Sequence, residues 1–166
     1  MTKLYLIAFM AISIGLKAQS CACCTEVHQQ FDFWLGDWEV VDTNGTALGK
    51  NSISQKEGHC ILAEHWTGAS GGTGSSVNYY NPADSSWNQL WISANGYILE
   101  LKGAWNAAQQ AMILKSKEEI GQNGQKFRNQ ITWTPNNDGT VIQRWDLIKA
   151  DQSIIRTLFY GIYRKK

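Results

Sequence analysis

The chain has 166 residues, 43% hydrophobic and 17% charged, with 15 Lys+Arg against 14 Asp+Glu. That length suits one domain, and the near-neutral balance disfavours a nucleic-acid binder, a polybasic membrane binder and a disordered tail, each of which needs a charge excess. Eight Trp against two Pro is the unusual entry in the composition, because an indole is costly in water and needs a partner for its N–H when buried.

Met1–Lys3 is a short basic region, and Leu4–Leu16 is an apolar run, too short for a membrane span of about 20 residues. Ala18-Gln19-Ser20 then offers small residues for cleavage before Cys21. Residues 1–20 read as a signal peptide, and the expectation is an extracytoplasmic protein, periplasmic or secreted. Loss of Lys3 and Lys17 would move the formal charge from +1 to −1. Cys21 after a small residue also resembles a bacterial lipoprotein, although Ala18 stands where Leu is usual. A lipid anchor at Cys21 is the one membrane contact the sequence offers.

Residues 21–30 form a Cys-rich lead containing Cys21, Cys23 and Cys24, with Cys60 further on. An exported chain meets an oxidising compartment, so disulfides are expected. A bridge to Cys60 from Cys23 or Cys24, with Cys24–Cys60 taken forward, would tie the lead to the body. A soft-metal site from Cys21, Cys23, Cys24 and His28 is the alternative. It lacks a second spaced Cys/His pair, so no metal and no other cofactor is expected.

Residues 31–166 read as one antiparallel meander. Asn44-Gly45, Asn95-Gly96, Asn123-Gly124 and Asp138-Gly139 sit between alternating runs, where Asx-Gly pairs suit type I′ hairpin turns. Strands are expected near 37–43, 46–56, 60–67, 75–80, 87–93, 97–103, 109–117, 125–134, 140–149 and 153–164. Lys115–Ile120 has a helical turn as its alternative, Trp105 falls in a turn, and the Gly/Ser run 68–76 reads as a flexible loop over the barrel mouth. About ten twisted strands in an open sheet would leave two bare edges, and closure removes them. The fold class expected is therefore all-β, an antiparallel up-and-down barrel.

The most distinctive block is Phe31-Asp32-Phe33-Trp34-Leu35-Gly36-Asp37-Trp38-Glu39-Val40. Its Gly36-x-Trp38 resembles the lipocalin signature. The block as a whole is similar to an uncharacterised family of exported bacterial proteins that open with Phe-Asp-Phe-Trp-x-Gly-x-Trp. Cys60–Trp66, Trp87–Trp91, Gln143–Trp145 and Phe159–Arg164 agree with it. The resemblance implies a calycin-like β-barrel of about ten strands with a short N-terminal 3₁₀ turn or plug, and it supplies no catalytic residue. It also implies that Arg164 packs on Trp38. Independently, Gly36 permits an unusual backbone angle, and Phe31, Phe33 and Trp34 are more apolar surface than one turn can bury on itself. They are expected to plug one end.

Strand residues i and i+2 share a face. Glu64 lies with Trp66, Trp87 with Gln89 and Trp91, and Gln143 with Trp145. Asn78 and Tyr80 share one face of the fourth strand, Val77 and Tyr79 the other, and parity leaves open which points inward. If the Trp-bearing faces point inward, the wall is aromatic with a few hydrogen-bonding groups, the usual make-up of a small-molecule pocket. The candidate ligand-binding residues are Glu64, Trp66, Asn78, Tyr80, Trp87, Gln89, Trp91, Arg128, Gln143 and Trp145. Glu64 should have a raised pKa unless a cation such as Arg128 pairs with it.

The function expected is binding of a small amphipathic or aromatic molecule. The alternative is an envelope structural or interaction protein with a filled core, in which Glu64, Gln89 and Gln143 satisfy Trp N–H groups. An enzyme using Glu64 is the third reading. The Gly-x-Ser-x-Gly, phosphate-loop and His-Glu-x-x-His motifs are absent. The heme barrels of nitrobindin type, which look similar, place a His on a late strand, whereas no His follows His65 here.

Overall fold

A computed structural model describes residues 21–166, so the leader expected over 1–20 lies outside the described residues. The alternating runs form eleven β-strands among the described residues: β1 Gly36–Val41, β2 Ala47–Lys56, β3 Ile61–Gly68, β4 Thr73–Asn81, β5 Ser86–Ser93, β6 Ile98–Asn106, β7 Ala111–Lys115, β8 Glu119–Ile120, β9 Lys126–Pro135, β10 Val141–Ile148 and β11 Ile154–Lys165. Each pairing is antiparallel, and β1 closes on β11. Met112–Lys115 and Glu119–Ile120 pair with successive stretches of β9. β7 and β8 thus act as one interrupted strand, and the molecule is a closed, ten-stranded, up-and-down, calycin-like barrel. Among the described residues no helix is long and apolar enough to cross a membrane.

Three local expectations change. Glu119 and Ile120 are in β8, not a helical turn, and Trp105 lies in β6, not a turn. The Gly/Ser run is largely strand, because β4 begins at Thr73 and only residues 69–72 make the connection.

The Asx-Gly turns are not type I′. Asn44, Asn95, Asn123 and Asp138 are absent from the positive-φ residues, whereas Gly45, Gly96, Gly124 and Gly139 have φ of 85°, 84°, 75° and 82°. Each of these Gly N–H groups donates to the carbonyl three residues back, at Asp42, Ser93, Gly121 and Asn136. This is the three-residue hairpin loop with a left-handed Gly in a G1 bulge. Asn95, Asn123 and Asp138 each accept the N–H two residues on, at Tyr97, Gln125 and Thr140. Those bonds explain why a short polar side chain precedes the Gly.

The lead folds across one end of the barrel through a short helix, Glu26–Gln29, and a 3₁₀ turn, Asp32–Trp34. Phe31 and Trp34 stack at 5.0 Å, and Phe31 meets Trp87 and Trp133 edge-on at 5.6 and 5.1 Å. Phe33 packs on Trp105 at 5.7 Å. Phe31, Trp34, Trp38 and Trp133 are fully buried. Trp38 Nε1 donates to the Trp34 carbonyl at 2.9 Å, but Trp34, Trp87 and Trp133 have no acceptor for Nε1 among the described residues. Ring packing, rather than hydrogen bonding, holds those three indoles. Gly36 opens β1 at φ +124°, a conformation that side chains other than Gly rarely adopt.

The expected partner of Trp38 is corrected here. Arg164 is exposed and pairs across the ladder with Glu39, while Lys165 pairs with Trp38 and places Nζ 5.3 Å from its ring. One residue of register puts the lysine on the face that the arginine was expected to occupy. His28 is half-buried and packs edge-on against Tyr80 at 5.3 Å.

The Cys24–Cys60 pairing is also corrected. Cys23 bonds Cys60, and Cys21 bonds Cys24. Cys23–Cys60 pins the plug to the β2–β3 turn. With all four sulfurs in disulfides, no thiolate is left for the alternative Cys/His metal site. A Cys21 sulfur held by Cys24 cannot also carry a lipid thioether. Paired cysteines point to a non-reducing, extracytoplasmic setting.

Candidate functional site

The plug fills one half of the barrel, and the other half holds a cavity. Several inward residues of β2 and β4 are small or polar: Gly49 and Asn51 on one, Gly74, Ser76 and Asn78 on the other. They leave room that larger residues elsewhere would fill. The face left open on β4 is resolved, since Asn78 is fully buried while Val77 and Tyr79 are 41% and 40% exposed.

The cavity measures about 150 Å³ and is lined by Glu64, Trp66, Gln89, Trp91, Leu99, Ile131, Gln143, Trp145, Phe159 and Tyr163. Six of the candidate residues therefore meet in one space: Glu64, Trp66, Gln89, Trp91, Gln143 and Trp145. Asn78 stands behind the wall. Tyr80 and Trp87 belong to the plug end, in contact with His28 and Phe31. Arg128 is not part of the wall; its guanidinium donates to the Ser116 carbonyl at 3.1 Å and does not pair with Glu64.

A continuous polar chain runs round the wall of the cavity. Gln89 Nε2 donates to Asn78 Oδ1 at 2.8 Å, and Asn78 Nδ2 donates to Ser76 Oγ at 2.8 Å. Ser76 Oγ donates to Glu64 Oε2 at 2.5 Å, and Asn51 Nδ2 donates to Glu64 Oε1 at 2.7 Å. Asn51 Nδ2 also reaches the Tyr163 hydroxyl at 3.3 Å, and that hydroxyl donates to Gln143 Oε1. The expectation that Glu64, Gln89 and Gln143 satisfy indoles is thus replaced, because they bond to one another's neighbours. Trp145 Nε1 donates instead to Asn129 Oδ1 at 2.8 Å. Gln89 Oε1 and Gln143 Nε2 have no hydrogen-bond partner among the described residues, and both amides border the cavity.

Burial pushes the Glu64 carboxyl up to about 7, against the lowering effect of Ser76 and Asn51. Burial, and then the charge of Glu64, hold the Tyr163 phenol well above its usual range.

Trp66, Trp91 and Phe159 line both the cavity and a vestibule of about 650 Å³ at the mouth. Each rests on a glycine. A Cβ at Gly49 would lie 2.7 Å from Trp66 Cη2, one at Gly74 would lie 2.5 Å from Trp91 Cη2, and one at Gly161 would lie 2.7 Å from Phe159 Cζ. Those distances are closer than real carbon contacts allow, so the rings sit this close to the wall only because these residues lack a side chain. Sequence reasoning missed Asn51, Ser76, Phe159, Tyr163 and the three glycines. The available signal was a glycine or small residue alternating inward on a strand beside a Trp-bearing one.

Among the described residues no group of three or more His, Cys, Asp or Glu is placed to hold a metal ion. No protein-family model matches the chain, and no curated protein matches it.

Proposed function

We propose that this is an exported binding protein whose barrel takes one small amphipathic molecule with an aromatic or compact apolar body. The carrying observation is the cavity of about 150 Å³, with its aromatic wall and its polar chain ending at free groups on Gln89 and Gln143. A cavity of that size holds a body of about benzene dimensions, and a porphyrin is too large for it. Export in this reading rests on the leader at residues 1–20 together with the paired cysteines. The resemblance of the Phe31–Val40 block to exported calycin-like barrels supports the same reading.

The test is a fluorescence titration of the mature protein with a panel of small aromatic alcohols and phenols. Saturable quenching that weakens in Trp91→Ala and in Gln89→Ala supports the reading. A linear, non-saturating response across the panel counts against it.

A second reading, an interaction protein, is favoured by the outer face of β4–β6. Val77, Leu90, Ile92 and Ile98 are 41%, 37%, 47% and 58% exposed, and the register joins them as Val77 beside Leu90 and Ile92 beside Ile98. Sedimentation over a concentration series tests it; a monomer at every concentration removes self-association from that reading.

A further inference from the structure

We infer that the cavity selects small organic cations, an ammonium group carried on an aromatic or compact body. This rests on the binding reading above and names its ligand class.

Glu64 is the charged group of the wall, and among the described residues no Lys, Arg or His lines the cavity. Each Glu64 oxygen accepts one protein donor, from Asn51 and from Ser76, and a carboxylate oxygen has room for two. The strands packed around it offer no countercharge: β2 presents Asn51, β4 presents Ser76, and β11 presents Tyr163. Tyr163 is the other titratable group on the wall among the described residues. Its hydroxyl proton is engaged by Gln143. An ionised carboxylate enclosed by rings and left without a cation is costly. A ligand that brings the cation removes that cost and forms a charge-assisted hydrogen bond.

The rings add an independent argument. Trp66, Trp91 and Phe159 each pack closely against a glycine of the barrel wall and also line the cavity. Trp66 and Phe159 meet edge to face, with their planes at 89°. The face of an aromatic ring is its negative pole, which attracts a cation and repels an anion. One carboxylate and three seated rings around about 150 Å³ make a box for a compact ammonium ion. The vestibule outside leaves space for a longer tail.

Calorimetric titration of the mature protein with benzylammonium, benzyl alcohol and benzoate compares one shape in three charge states. At about pH 8, where Glu64 is ionised, benzylammonium should bind at least about tenfold tighter than benzyl alcohol, and benzoate should not bind. The advantage should shrink at about pH 6, as Glu64 takes up its proton, and it should vanish in Glu64→Gln. Wild-type protein at the two pH values keeps the test decisive if that variant does not fold. Saturable binding of benzyl alcohol with no advantage for benzylammonium overturns the cation inference and leaves the binding reading intact. A cation advantage unchanged by pH and by Glu64→Gln also overturns it. No binding of any probe overturns both.

Discussion

Replacing Glu64 by Gln isolates the energetic consequence of a carboxyl buried without a cation. In the fold its pKa is raised from 4.5 to about 7. Between those values the native state holds a proton that the unfolded chain has released, so stability falls as pH rises. The loss begins near the unfolded value and is complete above the folded one. At about 1.4 kcal/mol for each pKa unit, the full effect is about 3 kcal/mol. The amide introduced by Glu64→Gln would mimic the protonated acid, accepting from Asn51 and donating to Ser76 Oγ. The variant should match wild type at about pH 4 and exceed it by about 3 kcal/mol at about pH 8. Urea unfolding followed by Trp fluorescence reads this directly; with a slope near 2 kcal/mol/M, the midpoints should separate by about 1.5 M. The difference between the two proteins cancels every other titrating group. Equal pH slopes in wild type and Glu64→Gln, or a wild type more stable than the variant at the higher pH, would refute the reasoning.

Three further outcomes follow from the geometry. Gly74→Ala puts a methyl into the ring of Trp91, so it should lower stability by about 1–3 kcal/mol and weaken probe quenching by driving the indole into the cavity. Removing the Cys23–Cys60 bridge, which spans 37 residues, should cost about 4 kcal/mol on loop-closure entropy; removing Cys21–Cys24, which spans 3, should change the urea midpoint far less. Gly36→Ala should cost about 1–3 kcal/mol in the same assay, because φ is +124° there although a methyl would meet nothing closer than 3.6 Å.

Much of the barrel was legible because its signals are local. Alternation marked the strands, and the Asx-Gly pairs marked hairpins even though the turn type differed. Parity grouped Glu64 with Trp66, Gln89 with Trp91, and Gln143 with Trp145, and these residues share the cavity. Parity does not encode height along the barrel axis, which depends on strand tilt and shear. Trp87 shares a face with Gln89 and Trp91, yet sits at the plug end. Register is equally hidden: Lys165 rather than Arg164 meets Trp38 because of a one-residue offset, and neighbouring Cys23 and Cys24 are separated only by the path of the lead. The glycine seats under Trp66 and Trp91 come from adjacent strands, so they emerge only once Asn51 is paired with Trp66 and Ser76 with Trp91.

The eight Trp also provide the most direct test, since each indole N–H is a separate reporter. In a ¹H–¹⁵N NMR titration with benzylammonium, the N–H signals of Trp66, Trp91 and Trp145 should shift saturably together. Those of Trp34, Trp38, Trp87 and Trp133, locked in the plug, should stay in place. Shifts spread evenly over all the indoles, or confined to the plug group, would contradict a binding cavity in the open half of the barrel.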